Sequence, residues 1–150
     1  MIQRKQSVFL LLAFIATVVC LCLPIATVTP LEMGGNIKLY NLCIITNAGA
    51  NYSVCGLFGI LVMSSALSLG TIFLYNNRKL QSNLCVCNLF LLVAWYIVLG
   101  VTARNTSPAD FTFNPTFAAC LPAVAAILVF MARAGVIHDE KLVRSADRIR

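Results

Sequence analysis

Charged residues are scarce in this chain. Lys, Arg, Asp and Glu make up 11% of the 150 residues, only five are acidic, and there is a single histidine. A water-soluble globular protein of this size has roughly a quarter of its residues charged, because charge covers its surface. A hydrophobic fraction of 60% and a mean hydropathy of +0.89 also exclude a disordered chain. The composition therefore predicts an integral membrane protein.

Motifs for catalysis and metal binding are missing as well. His138 is the only histidine, so the chain has neither a paired-histidine metal motif nor a histidine-based catalytic pair. No Gly-x-Ser-x-Gly elbow and no Gly-rich phosphate loop ending in Lys is present. The Cys-x-Cys pairs at 20–22 and 85–87 would point to roughly opposite faces of a helix. We therefore expect no enzyme activity, no cofactor and no metal.

Four long intervals without charge predict four membrane-spanning helices. Each is longer than the ~20 residues that a spanning helix needs. The intervals cover 6–31, 39–77, 80–103 and 111–132. The density of apolar residues places the helices near 7–28, 53–75, 84–103 and 116–136. The fold class that follows is an all-α membrane protein, in which 1–150 form a single four-helix transmembrane domain.

The positions of the basic residues predict the orientation, because Lys and Arg stay on the cytoplasmic side during insertion. Only Lys38 and Arg104 of the eleven fall on the opposite side of the predicted spans. Both termini are therefore expected in the cytoplasm, and the net charge of +6 is assigned to anionic headgroups, not to nucleic acid. Candidate contacts with headgroups or with a protein partner are the terminal residues Arg4, Lys5, Lys141, Arg144, Arg148 and Arg150.

The segment after the first span has the pattern of a β-hairpin. Two extended runs, 26–33 and 36–46, flank Gly34-Gly35. We expect a hairpin over 29–46 on the outer, extracytoplasmic face of the bundle. An irregular loop capped by an interfacial segment is the alternative.

Cysteines on the outer side lie in an environment different from that of the cysteines inside the spans. Cys43 and Cys55 both fall there, and an oxidising compartment permits a disulfide between them. Cys120 lies near the same surface and is a competing partner.

Polar residues inside the predicted spans are few. The deepest include Ser64, Ser68 and Asn88, and no carboxylate accompanies them for a proton relay. We expect Asn88 to hydrogen-bond a neighbouring helix, whereas the alternative is a cavity lined by these three residues. Small residues on the second and fourth spans indicate that these two helices approach closely.

The tail 137–150 predicts a short amphipathic helix on the cytoplasmic side. Leu142, Val143, Ala146 and Ile149 fall on one face at helical spacing. This helix either lies on the inner leaflet with its arginines toward anionic headgroups or docks against a protein. An ordinary solvated tail is the remaining alternative.

Both ends of the chain carry a resemblance to a known family. The start Met1-Ile2-Gln3-Arg4 and the ending Asp139-Glu140-Lys141-Leu142-Val143-Arg144 are similar to those of an uncharacterised family of small four-span inner-membrane proteins of the Bacteroidota, classed as a domain of unknown function. The resemblance implies a bacterial cytoplasmic membrane and supplies no catalytic residue or cofactor.

Two functional hypotheses follow. The first is a non-catalytic accessory or scaffold subunit of a cytoplasmic-membrane complex, whose partner is another membrane protein or a second copy of the chain. The second is a lipid-binding or small-molecule-binding protein, or a minimal transporter, that uses the cavity near Ser64, Ser68 and Asn88.

Overall fold

Four α-helices make up most of the part of the chain that the structure describes. The computed structural model describes residues 3–30, 37–46, 49–74, 78–106 and 111–147. The helices are α1 (Gln3–Cys22), α2 (Cys55–Phe73), α3 (Arg78–Thr106) and α4 (Leu121–Asp147), the last entered through a 3-10 turn at Phe117–Cys120. Three stretches are long and apolar enough to cross a membrane: Cys55–Phe73, Leu80–Asn105 and Phe117–Glu140. The apolar stretch of α1, Gln6–Cys22, is shorter.

The helices pack as a ring. α1 contacts α2 and α4, and α3 contacts the same two helices, whereas α2 and α4 lie diagonally opposite one another in the described chain. The expected close approach of the second and fourth spans is therefore wrong. Small residues of α2, among them Gly56, Gly59 and Ala66, are exposed, while Leu57 and Leu61 are buried on its inner side.

The outer segments form a five-stranded antiparallel sheet. Its strands are β1 (Ala26–Pro30), β2 (Ile37–Leu39), β3 (Ile44–Thr46), β4 (Gly49–Asn51) and β5 (Phe111–Pro115), in the order β4-β3-β2-β1-β5. Ala26 pairs with Leu39 and with Pro115. Ala26, Val28 and Leu39 are fully buried, so one face of the sheet packs on the bundle.

The predicted hairpin is found as the antiparallel pairing of β1 with β2, but its limits differ. The turn with Gly34-Gly35 lies outside the described residues. The second run is not one strand: the chain reverses at Asn41-Leu42 and pairs back as β3. Sequence reasoning also missed β5, because its partner β1 lies more than eighty positions earlier in the chain.

Two predicted helix limits need correction. The first helix ends at Cys22, not near residue 28, because Pro24 lacks an N–H and the residues after it pair in the sheet. The tail is not a separate helix, since α4 continues without a break through 137 to Asp147. Its residues include the strong helix formers Glu140, Lys141 and Leu142, and no proline interrupts them.

Candidate functional site

The described helices expose many large apolar side chains. Five of them lie on α1, and α3 and α4 continue this surface with Phe90, Ile97, Ile127 and Phe130. The interior is mainly apolar and also contains the polar residues Gln6, Thr17, Ser64, Ser65, Ser68, Thr71, Gln81, Asn88 and Asp139. A soluble monomeric protein rarely exposes so large a contiguous apolar surface. The distribution is typical of helices surrounded by lipid.

Ser64, Ser68 and Asn88 come together in one hydrogen-bonded cluster between α2 and α3. The Ser64 hydroxyl donates to Oδ1 of Asn88 (2.5 Å), and Nδ2 of Asn88 donates to the Ser68 hydroxyl (2.8 Å). The Ser68 hydroxyl donates to the Ser64 carbonyl of its own helix. All three residues are at most 1% exposed. The cluster therefore fastens α3 to α2.

A second buried contact joins the sheet to the helices through Asn41. Its side-chain amide donates to the carbonyl of Cys20 (2.7 Å), one of the last carbonyls of α1, which have no partner within the helix. Its Oδ1 accepts from the indole N–H of Trp95 on α3 (3.1 Å). Asn41 and Trp95 are fully buried. Sequence reasoning missed Asn41, since an Asn in a turn is ordinarily a solvent-exposed residue.

The third contact joins the two ends of the chain. Nε2 of Gln6 on α1 donates to Oδ2 of Asp139 on α4 over 2.5 Å. The other carboxylate oxygen, Oδ1, is buried and has no hydrogen-bond partner among the described residues. Gly135 allows Gln6 to pack close to α4, because a Cβ at position 135 would lie 3.0 Å from Cγ of Gln6.

The chain as a whole matches a family model. The model is described as a domain of unknown function (DUF4293), and it matches residues 2–149. The chain belongs to this family. The resemblance to a family of unknown function is thereby confirmed over nearly the whole chain. No curated protein matches the chain.

The basic residues at the two ends of this DUF4293 chain lie largely outside what the structure describes. The side chains of Arg4, Lys5, Lys141 and Arg144, and the residues Arg148 and Arg150, are among them. The backbone places the start of α1 beside the end of α4, as the contact of Gln6 with Asp139 requires. The backbone of Arg4, Lys5, Lys141 and Arg144 is therefore close to one end of the bundle, and the role of all six residues as partner or headgroup contacts stays a prediction.

In the described part of the chain, the cysteines do not come together in one site. Cys43 is half-buried, Cys55 is exposed, and both are free thiols, so the disulfide between them stays a prediction. Cys20 is buried and donates to the Ala118 carbonyl (3.4 Å). Among the described residues no three His, Cys, Asp or Glu side chains lie close enough to hold a metal ion.

Proposed function

We propose that the protein is a four-span membrane protein of the bacterial cytoplasmic membrane that serves as a non-catalytic accessory or scaffold subunit. The observation that supports the membrane placement is the apolar outer surface of all four helices. Lipid is the solvent that suits such a surface, because in water these side chains would stay exposed.

α1 is the fourth span in this proposal. Its apolar stretch, Gln6–Cys22, is about 25 Å long at 1.5 Å per residue, and a bilayer accommodates a span a few ångströms shorter than its hydrocarbon core by local thinning. It packs between α2 and α4, both of which contain apolar stretches of spanning length. Val8, Leu11, Ile15 and Val19 form its exposed face. A position outside the membrane would leave this face in water.

The end of the bundle that holds both termini is assigned to the cytoplasm. That end contains the basic residues of both termini and of the α2–α3 connection, whereas the opposite end has Lys38 and Arg104. The five-stranded sheet then lies on the outer side.

The hydrogen-bond partners of the buried polar groups support the scaffold role. Ser64, Ser68 and Asn88 bond to one another, and the hydroxyls of Thr17 and Thr71 donate to carbonyls of their own helices. The bonds of Asn88 to the two serines hold α3 against α2, and all five residues are shielded from solvent. This favours a structural role for Ser64, Ser68 and Asn88 over the alternative of a ligand-binding cavity or transport path.

The orientation is tested with fusions to the C-terminus of the full chain. Green fluorescent protein is expected to fluoresce there, and alkaline phosphatase is expected to be inactive, because the first reporter folds in the cytoplasm and the second outside it. An active phosphatase fusion would reverse the orientation.

The scaffold role is tested by purification in mild detergent followed by mass spectrometry. A defined partner is expected, either another membrane protein or a second copy of the chain. Arg144→Glu with Arg148→Glu should release it, whereas Lys38→Glu with Arg104→Glu at the opposite end should not. Recovery of an unaccompanied monomer in every mild detergent would contradict the proposal.

A further inference from the structure

Arg133 places a positive charge near the end of the apolar part of α4. It lies four residues before Ile137, the last apolar residue before His138-Asp139-Glu140, and at 1.5 Å per residue this puts its Cα about 6 Å from that end. A charge at this depth is costly in hydrocarbon unless it meets a partner. An ionisable residue within a span is therefore a starting point for identifying a ligand.

One donor of this guanidinium lacks a hydrogen-bond partner in the described part of the chain. Arg133 is half-buried, and its Nε is fully buried without a hydrogen-bond partner among the described groups. It lies on the side of α4 that faces α3, close enough to the Cys85 thiol for an electrostatic interaction. A thiol is a weak hydrogen-bonding group. Asp139, six residues further along α4, faces α1 instead and accepts from Gln6.

The surroundings of Arg133 fit a phospholipid. An arginine stem extends along apolar surface and carries its charge toward the headgroup layer. The backbone of α3 begins with Arg78 and Lys79 at this same end of the bundle, and such a basic sequence favours a lipid with net negative charge. Phe130, three residues before Arg133, is 59% exposed and provides an apolar surface for an acyl chain.

We propose that Arg133 is the centre of a binding site for an anionic phospholipid. Because Nε is buried, the guanidinium holds the lipid phosphate through the paired N–H donors of its two Nη groups, between the cytoplasmic ends of α3 and α4. This site rests on the membrane placement proposed above and is independent of the scaffold role.

The test uses the full chain in mild detergent and measures bound lipid by native mass spectrometry. The probes are phosphatidylglycerol and phosphatidylethanolamine, which share a phosphate but differ in net charge. The unaltered protein is expected to bind phosphatidylglycerol about tenfold more tightly than phosphatidylethanolamine and to keep it in the presence of excess inorganic phosphate. If the unaltered protein bound the two lipids equally, the proposed site would be wrong, and no variant would be needed to show it.

Two variants and a matched control locate the site. Arg133→Gln should abolish the preference for phosphatidylglycerol, and Arg133→Lys should retain part of it, because Lys keeps the charge without the paired donors. Arg104→Gln, an exposed Arg near the other end of α3, should bind like the unaltered protein. An Arg133→Gln protein with normal helical content and unchanged lipid preference would disprove the assignment. Carbonate extraction of membranes separately checks insertion, so failure of the membrane placement is distinguishable from failure of the site.

Discussion

Gln6 and Asp139 lie 133 positions apart in the chain and share a buried hydrogen bond. Gln6 stands in the second turn of α1, and Asp139 in the last third of α4. The bond therefore connects the first helix to the last at the end of the bundle that holds both termini. It also leaves one oxygen of Asp139 buried without a partner among the residues that the structure describes.

Removal of Gln6 should destabilise the bundle. Gln6→Leu leaves both oxygens of the buried Asp139 carboxylate unpartnered, and we expect a loss of roughly 1–3 kcal/mol in the free energy of unfolding. Unfolding by SDS, followed by circular dichroism, measures it. Replacing both residues by Leu should recover most of the loss, because no buried polar group is then left unpaired. A Gln6→Leu protein as stable as the unaltered one would contradict the contact.

Gly135→Ala should weaken the same contact by a different route. The added methyl group would lie 3.0 Å from Cγ and 3.3 Å from Nε2 of Gln6, and Gln6 is held in place by its bond to Asp139. We expect a loss of roughly 1–2 kcal/mol from overpacking. Gly100→Ala is the control, since a Cβ there meets no atom within 4 Å. It should be neutral or stabilising by up to about 1 kcal/mol, as Ala is the better helix former.

Asn88→Leu should separate α3 from α2. The substitution removes the bonds to Ser64 and Ser68, and hydrogen bonds between membrane helices are worth up to about 1–2 kcal/mol. Asn83→Leu on the exposed side of α3 is the matched control and should leave the SDS midpoint unchanged. Equal midpoints for the two variants would mean that the cluster contributes nothing to helix packing.

Asn41→Ala should change the fluorescence emission of Trp95. Trp95 is the only tryptophan, so the emission reports one indole, which is fully buried and donates to Asn41. Loss of the acceptor leaves the indole N–H and the Cys20 carbonyl unpaired, and we expect a shifted Trp95 emission and a loss of roughly 1–3 kcal/mol. Asn51→Ala changes an exposed Asn that bonds only to nearby Ser53, and it should leave the spectrum unchanged.

Hydropathy predicted the helices well because it is a local property. α2 was expected near 53–75 and runs over Cys55–Phe73, and the third and fourth helices contain their expected spans almost entirely. Asn88 was correctly expected to bond a neighbouring helix, since a polar side chain among apolar ones has few other partners.

Features that depend on contacts between distant segments were not predicted from the sequence. Small residues such as Gly59 and Ala66 can face either a neighbouring helix or lipid, and composition alone does not distinguish the two. Asn41 joins the sheet to α1 and α3 because three segments that are distant in the sequence meet at this residue. The continuity of α4 beyond Arg133 was also not predicted, since the sequence analysis divided this helix at 136–137.

The ladder between β1 and β5 has a consequence for biosynthesis. Because Ala26 pairs with Pro115 and Thr29 with Thr112, one edge of β1 stays open while the ribosome makes α2 and α3. An open strand edge is a template for wrong pairing. The sheet is completed only when residues 111–115 have been synthesised, so a chain stalled after α3 exposes an incomplete sheet to any chaperone that meets it.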